Sequence, residues 1–444
     1  MKETIRLDEL NEVREEYLSD KTNTVMRHVL ANTAISDATF NGDNKENQFV
    51  FSIDIPTMSV CNQMKSGRCW IFSASTILRE IIAKKLNIKD GFEISQNYIS
   101  YFDKLEKYNY YMENVISLAL KGEEKNSRRM HFLLSSGVGD GGQWDMFVDL
   151  VKKYGIVPKP AFPETRQSSN TSLSSSLANA ALREFASKVY QIKDQGIDAL
   201  HELKSEYMKK LYSLFTSSFG VPPTEFDFEY TDCKGEYHIE KGLTPKSFFE
   251  KYIGDEIDEY VSLINAPTKD KEYYQTYNVE LVGNVLEGKP ITHLNLPMER
   301  LEELIIEQLK NGEIVWFGSD VSYYGDRSVG TWDVDSYDFV TPFGLDFAFD
   351  KADMLDFHHS AMNHAMVITG VDLIDGKPVR WKIENSWGKD SGKNGYYLMS
   401  EKFFSLFAYQ AAVKMKYLNE KEKEALKKKP ILLSPWDPFG TLAD

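Results

Sequence analysis

The stretch Asn62-Gln63-Met64-Lys65-Ser66-Gly67-Arg68-Cys69-Trp70-Ile71-Phe72-Ser73 decides how this chain of 444 residues is interpreted. Apolar residues recur at helical spacing after Cys69, and Ser66 and Gly67 before it are typical of a turn, so the cysteine is predicted to begin a helix. Unpaired N–H groups and the helix dipole at such a position are expected to lower the pKa of the thiol. Gln63 lies six residues upstream, where its amide can donate to an oxyanion beside the sulfur. The alternative is that Cys69 is a small buried core residue, as most free cysteines are.

Two segments far downstream favour the catalytic interpretation. His364 opens the apolar, strand-like run 363–370, and Asn385 ends a second strand, with Trp387 following two residues later. A cysteine peptidase needs a nucleophile, an imidazole that holds its proton and a third group that orients the imidazole. Asn385 can offer its amide oxygen to the ring N–H of His364, and Trp387 can shield that bond from water. We therefore predict Cys69, His364, Asn385 and Gln63 as the catalytic residues.

These residues together resemble the constellation of papain-type cysteine peptidases. The run 140–144, Asp-Gly-Gly-Gln-Trp, resembles the glycine-containing wall against which such enzymes hold an extended peptide, which implies that Gly141 and Gly142 bind substrate. Trp387 is expected to line the same cleft. The resemblance implies an α+β fold, a papain-like two-lobed core with a helical lobe and a β-rich lobe.

Departures from papain narrow the resemblance. Papain-like sequences carry a cysteine three residues before the nucleophile, where this chain has Ser66, so the disulfide of the secreted members is not expected. His364 follows Cys69 by 295 residues instead of roughly 130 to 150, which indicates a large, mainly helical insertion. With Ser-Gly-Arg-Cys-Trp, His-Ala-Met and the final segment 435–444, the chain resembles the bleomycin hydrolase and aminopeptidase C family.

That resemblance implies a cytoplasmic thiol aminopeptidase that acts on peptides through an acyl-enzyme on Cys69. It further implies that the insertion is a hook-like region that builds a homohexamer, and that the carboxyl-terminal arm enters the active-site cleft. Ala443 and Asp444 are then expected to present a carboxylate to the substrate's α-ammonium group, with Asp444 either retained or trimmed.

The expected organisation has five parts. They are an N-terminal helix and extended lead-in (1–60), the helical lobe with the nucleophile (61–165), the inserted helical region (166–300), the β-rich lobe with His364 and Asn385 (301–418) and the C-terminal arm (419–444). Within them we predict one charged helix over 1–30, a loop or a boundary at the serine-rich stretch 168–176, a strand over 412–417 and an extended arm. We also predict a long helix with an apolar stripe, formed by Leu200, Leu203, Tyr207, Leu211 and Leu214. Such a stripe is more typical of core than of an interface.

Composition excludes several classes of partner. The net charge of −15 disfavours nucleic acid, because binding to phosphates comes largely from Lys and Arg. Three cysteines are too few for a disulfide framework and favour a reducing compartment, and residues 1–10 lack the apolar core of a signal peptide. The chain contains no run of 18 apolar residues, so no membrane span is predicted. The other histidines, including His358, His359 and His238, lack ligand spacing, and no phosphate loop of Walker type occurs, so neither metal nor cofactor is expected.

Three alternatives to an aminopeptidase stay open at this point. An endopeptidase would use the same residues in a cleft open at both ends. A hydrolase of amide-bearing small molecules would be compatible with the same site. A ring-shaped binding or scaffold protein with a vestigial site belongs to a different class, and reaction with a cysteine-directed affinity label would distinguish it.

Overall fold

The structure, a computed structural model, describes residues 4–41, 49–347 and 349–443. Its first elements are helices α1 (Leu7–Ser19), α2 (Lys21–Leu30) and α3 (Ile35–Thr39), followed by the short strand β1 (Ile53–Asp54). The prediction of one helix over 1–30 is wrong. Asp20 is extended, and its carboxylate accepts the N–H of Thr22 and so caps a second helix.

The helical lobe surrounds the nucleophile. It contains α4 (Cys69–Leu86), α5 (Gln96–Leu120), α6 (Arg128–Ser136) and α7 (Trp144–Tyr154). The predicted start of α4 at Cys69 is confirmed. This helix is buried on most of its surface, with Trp70 and Ala74 fully inaccessible, because α5, α7 and the β-rich lobe all pack against it.

The next elements are α8 (Ser172–Ile192), α9 (Ile197–Phe219), the hairpin β2 (Phe226–Thr231) and β3 (Tyr237–Leu243), and α10 (Pro245–Tyr252). The loop predicted at 168–176 is wrong from Ser172 onwards. Apolar residues three and four apart, such as Leu182 and Phe185, bury the helix that contains these serines and outweigh the weak helix preference of serine.

The apolar stripe of α9 belongs to the core, as its spacing favoured. Leu200, Tyr207 and Leu211 are almost completely buried, and α9 packs against α5 and α8 of the same chain. The stripe is therefore occupied within one chain and offers no surface for assembly.

The β-rich half is built on one large mixed sheet. Its strands and helices are β4 (Tyr260–Ile264), β5 (Thr276–Val279), β6 (His293–Asn295), α11 (Met298–Lys310), β7 (Val315–Ser319), β8 (Gly325–Asp326), β9 (Thr331–Trp332), α12 (Val340–Phe343), α13 (Lys351–Asp356), β10 (His364–Ile374), β11 (Lys377–Glu384), β12 (Tyr396–Ser400), α14 (Glu401–Phe407), β13 (Ala408–Lys414), α15 (Glu420–Leu426) and β14 (Ile431–Leu433). The strand order is β14-β5-β6-β4-β13-β7-β10-β11-β12-β9-β8, and β1 pairs with β10.

Two expectations about this half need correction. The strand predicted over 412–417 begins at Ala408 and ends at Lys414, because pairing with β4 and β7 sets its limits. The helical character expected over 166–300 ends at Tyr252, and three strands between 260 and 295 join the central sheet. The division into five parts stays a prediction.

The two halves meet where α4 packs on β10. The hydroxyl of Ser73 donates to the carbonyl of Ala365 at 2.9 Å across this contact. Strand β10 is itself held between β7 and β11 in antiparallel register. The start of the helix and the start of the strand are thereby fixed side by side. Among the described residues, no helix is both long and apolar enough to cross a membrane.

Candidate active site

Cys69 lies at the junction of the two halves. It is the first residue of α4 and is 4% exposed. The backbone N–H of Ala365 donates to its sulfur at 3.4 Å. Because Ala365 directly follows His364, this bond brings the start of the strand that bears the imidazole next to the thiol.

His364 is held by Asn385 and Trp387. Its Nε2 lies 2.8 Å from the amide oxygen of Asn385, and its ring stacks on Trp387 with centroids 4.9 Å apart. That oxygen also accepts the N–H of Ser386 at 2.8 Å, which fixes the amide's orientation. Since a carbonyl oxygen can only accept, the contact assigns the ring proton to Nε2 and leaves Nδ1 as the basic nitrogen.

Burial changes the acid–base properties of the pair. It raises the pKa of the Cys69 thiol to about 11, and the N–H groups of Ala365, Trp70 and Cys69 only partly oppose it. The expectation of a lowered thiol pKa at the helix start is therefore wrong, because desolvation outweighs the helix N-terminus. Burial also lowers the pKa of His364 to about 4, although the hydrogen bond to Asn385 acts to raise this pKa. Both shifts favour the uncharged form, and an uncharged imidazole is able to accept a proton.

Gln63 is oriented by a residue that sequence reasoning missed. Its amide oxygen accepts from the hydroxyl of Ser386 at 2.6 Å, and its backbone N–H donates to the carbonyl of Ser386 at 2.8 Å. The amide nitrogen donates to the carbonyl of Ser66 at 2.7 Å. An amide nitrogen carries two hydrogens, so a second N–H stays available. No sequence signal marks Ser386 beyond its place next to Asn385.

The glycine segment forms a wall beside the thiol. The indole N–H of Trp70 donates to the carbonyl of Asp140 at 2.7 Å, and its ring lies flat against Gly142. A Cβ at position 142 would stand 2.4 Å from that ring, so glycine is required there. The carbonyl of Gly141 accepts from the buried ammonium of Lys107. The backbone of Gly141 and Gly142 is thus held by Lys107 and by Trp70, the residue after Cys69, and their role in binding substrate stays a prediction.

Two buried lysines support this wall, and sequence reasoning did not single them out. Lys104 pairs with the carboxylate of Asp140 at 2.6 Å, and Lys107 pairs with Asp103 at 2.8 Å. Burial opposes the charged form of Asp140, but Lys104 nevertheless lowers the pKa of its carboxyl group. The carboxylate also accepts the N–H of Gly67 at 3.0 Å and so ties the wall to the turn before Cys69. Two lysines three residues apart within a mostly apolar helix were the signal that could have found them.

The C-terminal arm lies against the same wall. The N–H of Gly142 donates to the carbonyl of Leu442 at 2.8 Å, and the amide of Gln143 donates to the carbonyl of Phe439 at 2.7 Å. On the opposite side, the hydroxyl of Thr441 donates to the carbonyl of Met362, two residues before His364, at 2.8 Å. The arm therefore bridges the two lobes beside the catalytic pair.

The arm is anchored further back by two more contacts. Asp437 forms an ion pair with Lys271 at 3.0 Å, and the guanidinium of Arg128 lies 3.7 Å from the ring centre of Trp436. The expectation of an extended arm is wrong for Pro438–Ala443, which is a 3₁₀ helix. The carboxylate of Asp437 accepts the N–H of Phe439 at 3.0 Å and so starts this turn. Ala443 is partly buried against the core, and Asp444 lies outside the described residues.

The remaining histidines lie elsewhere. His359 stacks on Tyr323, and neither it nor His358 joins the residues around Cys69. His238 is less isolated than its sequence position indicates, because its ring lies 3.2 Å from the carboxylate of Asp232 in the β2–β3 turn. That carboxylate also accepts the N–H groups of Lys234 and Glu236, so the contact closes the hairpin.

The chain matches the Peptidase C1-like family over residues 4–440. It belongs to this family. An aminopeptidase C of Lactobacillus delbrueckii subsp. lactis is 44% identical over 97% of this chain and 99% of its own length. An aminopeptidase C of Listeria monocytogenes serovar 1/2a is 40% identical over the whole of both chains. The crystal structure of PepW from Lactobacillus rhamnosis HN001 is 42% identical, covers 99% of each chain and superimposes with a TM-score of 0.96.

These likenesses confirm two of the expectations. The α+β, papain-like fold agrees with that of the Peptidase C1-like family, and the chain is a cysteine-type aminopeptidase. The individual roles of its residues are taken up below.

Proposed function

We propose that this Peptidase C1-like protein removes single residues from the amino ends of peptides, with Cys69 as nucleophile and the C-terminal arm as the limit of the cleft. The observation that carries the proposal is the hydrogen bond from Gly142 to the carbonyl of Leu442 beside the catalytic pair. The arm thus occupies the backbone donor that an extended peptide would otherwise use.

The reaction follows from the contacts of the site. Cys69 attacks the scissile carbonyl carbon while its proton passes to Nδ1 of His364, which is uncharged because of burial. Negative charge develops on the carbonyl oxygen, where the free N–H of Gln63 and the backbone N–H of Cys69 stabilise it. His364 then gives the proton to the leaving amine, the C–N bond breaks, and a thioester forms on Cys69.

Hydrolysis of the thioester completes the cycle. His364 takes a proton from water, which attacks the thioester carbonyl, and the thiolate leaves and regains the proton. Asn385 holds the ring in one orientation throughout, because its amide oxygen keeps its bond to Nε2. Trp387 covers the edge of this bond and excludes water from it.

Substrate selection is assigned to the wall and the arm. Gly141 and Gly142 support the residue on the amino side of the scissile bond, and the arm leaves room for little more than that residue. Ala443 and Asp444 supply carboxylate charge that attracts the substrate's α-ammonium group, in a cleft where solvent screens less than at the surface. Peptides with blocked amino ends lack the charge and meet the arm.

Location and assembly belong to the same proposal. The free thiols of Cys61, Cys69 and Cys233 support a reducing, cytoplasmic location. A homohexamer rests on the family resemblance alone, because the stripe of α9 is buried within the chain. Light scattering is expected to give about six times the 51.0 kDa of the chain.

Product analysis on an unblocked peptide beside its N-acetylated twin tests the proposal. We expect the free peptide to lose single residues from its amino end in sequence, and the acetylated peptide to be cleaved far more slowly. Internal cleavage of the acetylated peptide at a rate similar to that of the free peptide would identify an endopeptidase instead. Failure to cleave either peptide while Cys69 still reacts with an affinity label would point to small amides as substrates, and failure to react as well would point to a binding protein.

A further inference from the structure

The side of the cleft away from the arm receives the leaving group. His364 protonates the leaving amine, so the residue that follows the scissile bond has to lie beside its imidazole. Trp387 stacks on that imidazole and forms the adjoining surface. A group that stacks on Trp387 is therefore separated from the catalytic imidazole by no more than the indole.

Arg327 stacks on Trp387. Its guanidinium lies 4.1 Å from the ring centre of Trp387, and the residue is exposed. Within the described ranges, this guanidinium makes neither an ion pair nor a hydrogen bond to a side chain, whereas Arg79 and Arg300, for example, are paired with carboxylates. The charge also reaches the catalytic imidazole, since Arg327 contributes to the lowered pKa of His364.

The loop that carries Arg327 is held in place. Strands β8 and β9, which flank it, pair with each other, and the carboxylate of Asp326 accepts the N–H of Ser328 at 2.7 Å. The carbonyl of Arg327 accepts the N–H of Gly392 at 3.1 Å. The indole below then restricts the side chain by a cation–π contact. The guanidinium is thus positioned before substrate arrives.

We propose that Arg327 binds a carboxylate on the leaving group, next to the scissile bond. A guanidinium offers parallel N–H donors that match a carboxylate, and stacking on the indole leaves its edge free for that contact. Two substrates carry such a group: a dipeptide, through its own α-carboxylate, and a longer peptide with Asp or Glu in second position. This rests on the proposed aminopeptidase function, and it names the substrates that the site favours.

The first measurement compares a dipeptide with its C-terminal amide. The ratio of kcat/KM for the acid to that for the amide is expected to exceed one in the wild-type enzyme and to fall about two- to fivefold in Arg327→Gln, the range for a solvent-exposed ion pair. Arg327→Lys keeps the charge but loses the parallel N–H donors, so its acid-to-amide ratio should lie between those of the wild-type enzyme and Arg327→Gln.

A second pair of substrates separates the two sources of carboxylate. Alanyl-aspartic acid α-amide, whose side-chain carboxylate is free, and alanyl-asparagine α-amide differ only in the charge of the second side chain. If the Asp peptide also loses its advantage in Arg327→Gln, the site reads either carboxylate. If only the dipeptide acid does, Arg327 reads the α-carboxylate, and dipeptides are the favoured class.

Lys389→Gln is the matched control. It removes the same charge from an exposed residue two positions after Trp387, and it is expected to leave the acid-to-amide ratio unchanged. A wild-type ratio of one, an unaltered ratio in Arg327→Gln or an equal fall in Lys389→Gln would overturn the assignment of Arg327. In each of these cases cleavage of both dipeptides would still support the aminopeptidase, whereas cleavage of neither would end both proposals.

Discussion

The four predicted catalytic side chains and the C-terminal arm both lie where the two halves of the molecule meet, but they are held in different ways. All four side chains are buried; Cys69, Asn385 and Gln63 are bound to Ala365 or Ser386, and His364 is bound to Asn385. The arm is held through hydrogen bonds to carbonyl groups, one ion pair and the contact of Arg128 with Trp436. Among the described residues, no hydrogen bond of the four side chains involves the arm. Chemistry and substrate selection therefore depend on separate contacts, and variants should affect one without the other.

Replacing the nucleophile is expected to have the largest effect. Cys69→Ala removes the only group that can form the thioester, so turnover of free and acetylated peptides should both disappear. The fold should persist, because alanine fits the buried position, and circular dichroism measures this. Cys233→Ala, at an exposed cysteine, is the control that should keep full activity. Substantial turnover by Cys69→Ala would contradict the assignment of Cys69 as the nucleophile.

Gln63→Ala tests the oxyanion contact. Loss of one such donor is expected to lower kcat by roughly 10² to 10³, with the ratio for free over acetylated peptide unchanged. Gln143→Ala is the matched variant for the arm, since the amide of Gln143 donates to the carbonyl of Phe439. This variant should mainly lower the ratio for free over acetylated peptide. An unchanged kcat in Gln63→Ala would mean that the backbone N–H of Cys69 is sufficient.

Deleting residues 439–444 removes the arm from the cleft. We expect the ratio of kcat/KM for a free peptide to that for its N-acetylated form to fall about tenfold or more, because charge-assisted contacts to the α-ammonium group are lost and the cleft opens. Internal cleavage should appear, and Cys69 should keep its reactivity toward an affinity label. An unaltered ratio would show that the arm does not select for free amino ends.

Lys271→Met is expected to have the smallest effect on the ratio for free over acetylated peptide. It breaks the ion pair with Asp437 but leaves the contacts of Phe439 and Leu442, so the same ratio should fall only about two- to fivefold. Lys204→Met is the control, because it breaks the ion pair with Glu113 instead. Equal effects of the two variants would indicate general destabilisation instead of a loosened arm.

Local sequence signals predicted several elements closely. The predicted helix start at Cys69 is the residue at which α4 begins. The prediction of a strand over 412–417 missed the start of β13 at Ala408, because β13 is buried on both faces and has no alternating pattern. The arm was expected to be extended because of its prolines, but capping by Asp437 favours a 3₁₀ turn.

The sequence by itself determined where the reactive groups lie along the chain: Cys69 at a helix start, His364 opening a strand and Asn385 ending the next. These positions depend on turns, caps and periodicity, which act over a few residues. The tertiary structure alone decided the raised pKa of Cys69, the ion pair of Lys271 with Asp437 and the place of Arg327 over Trp387. Burial and contacts of this kind sum over residues that are distant in the chain, so no local pattern encodes them.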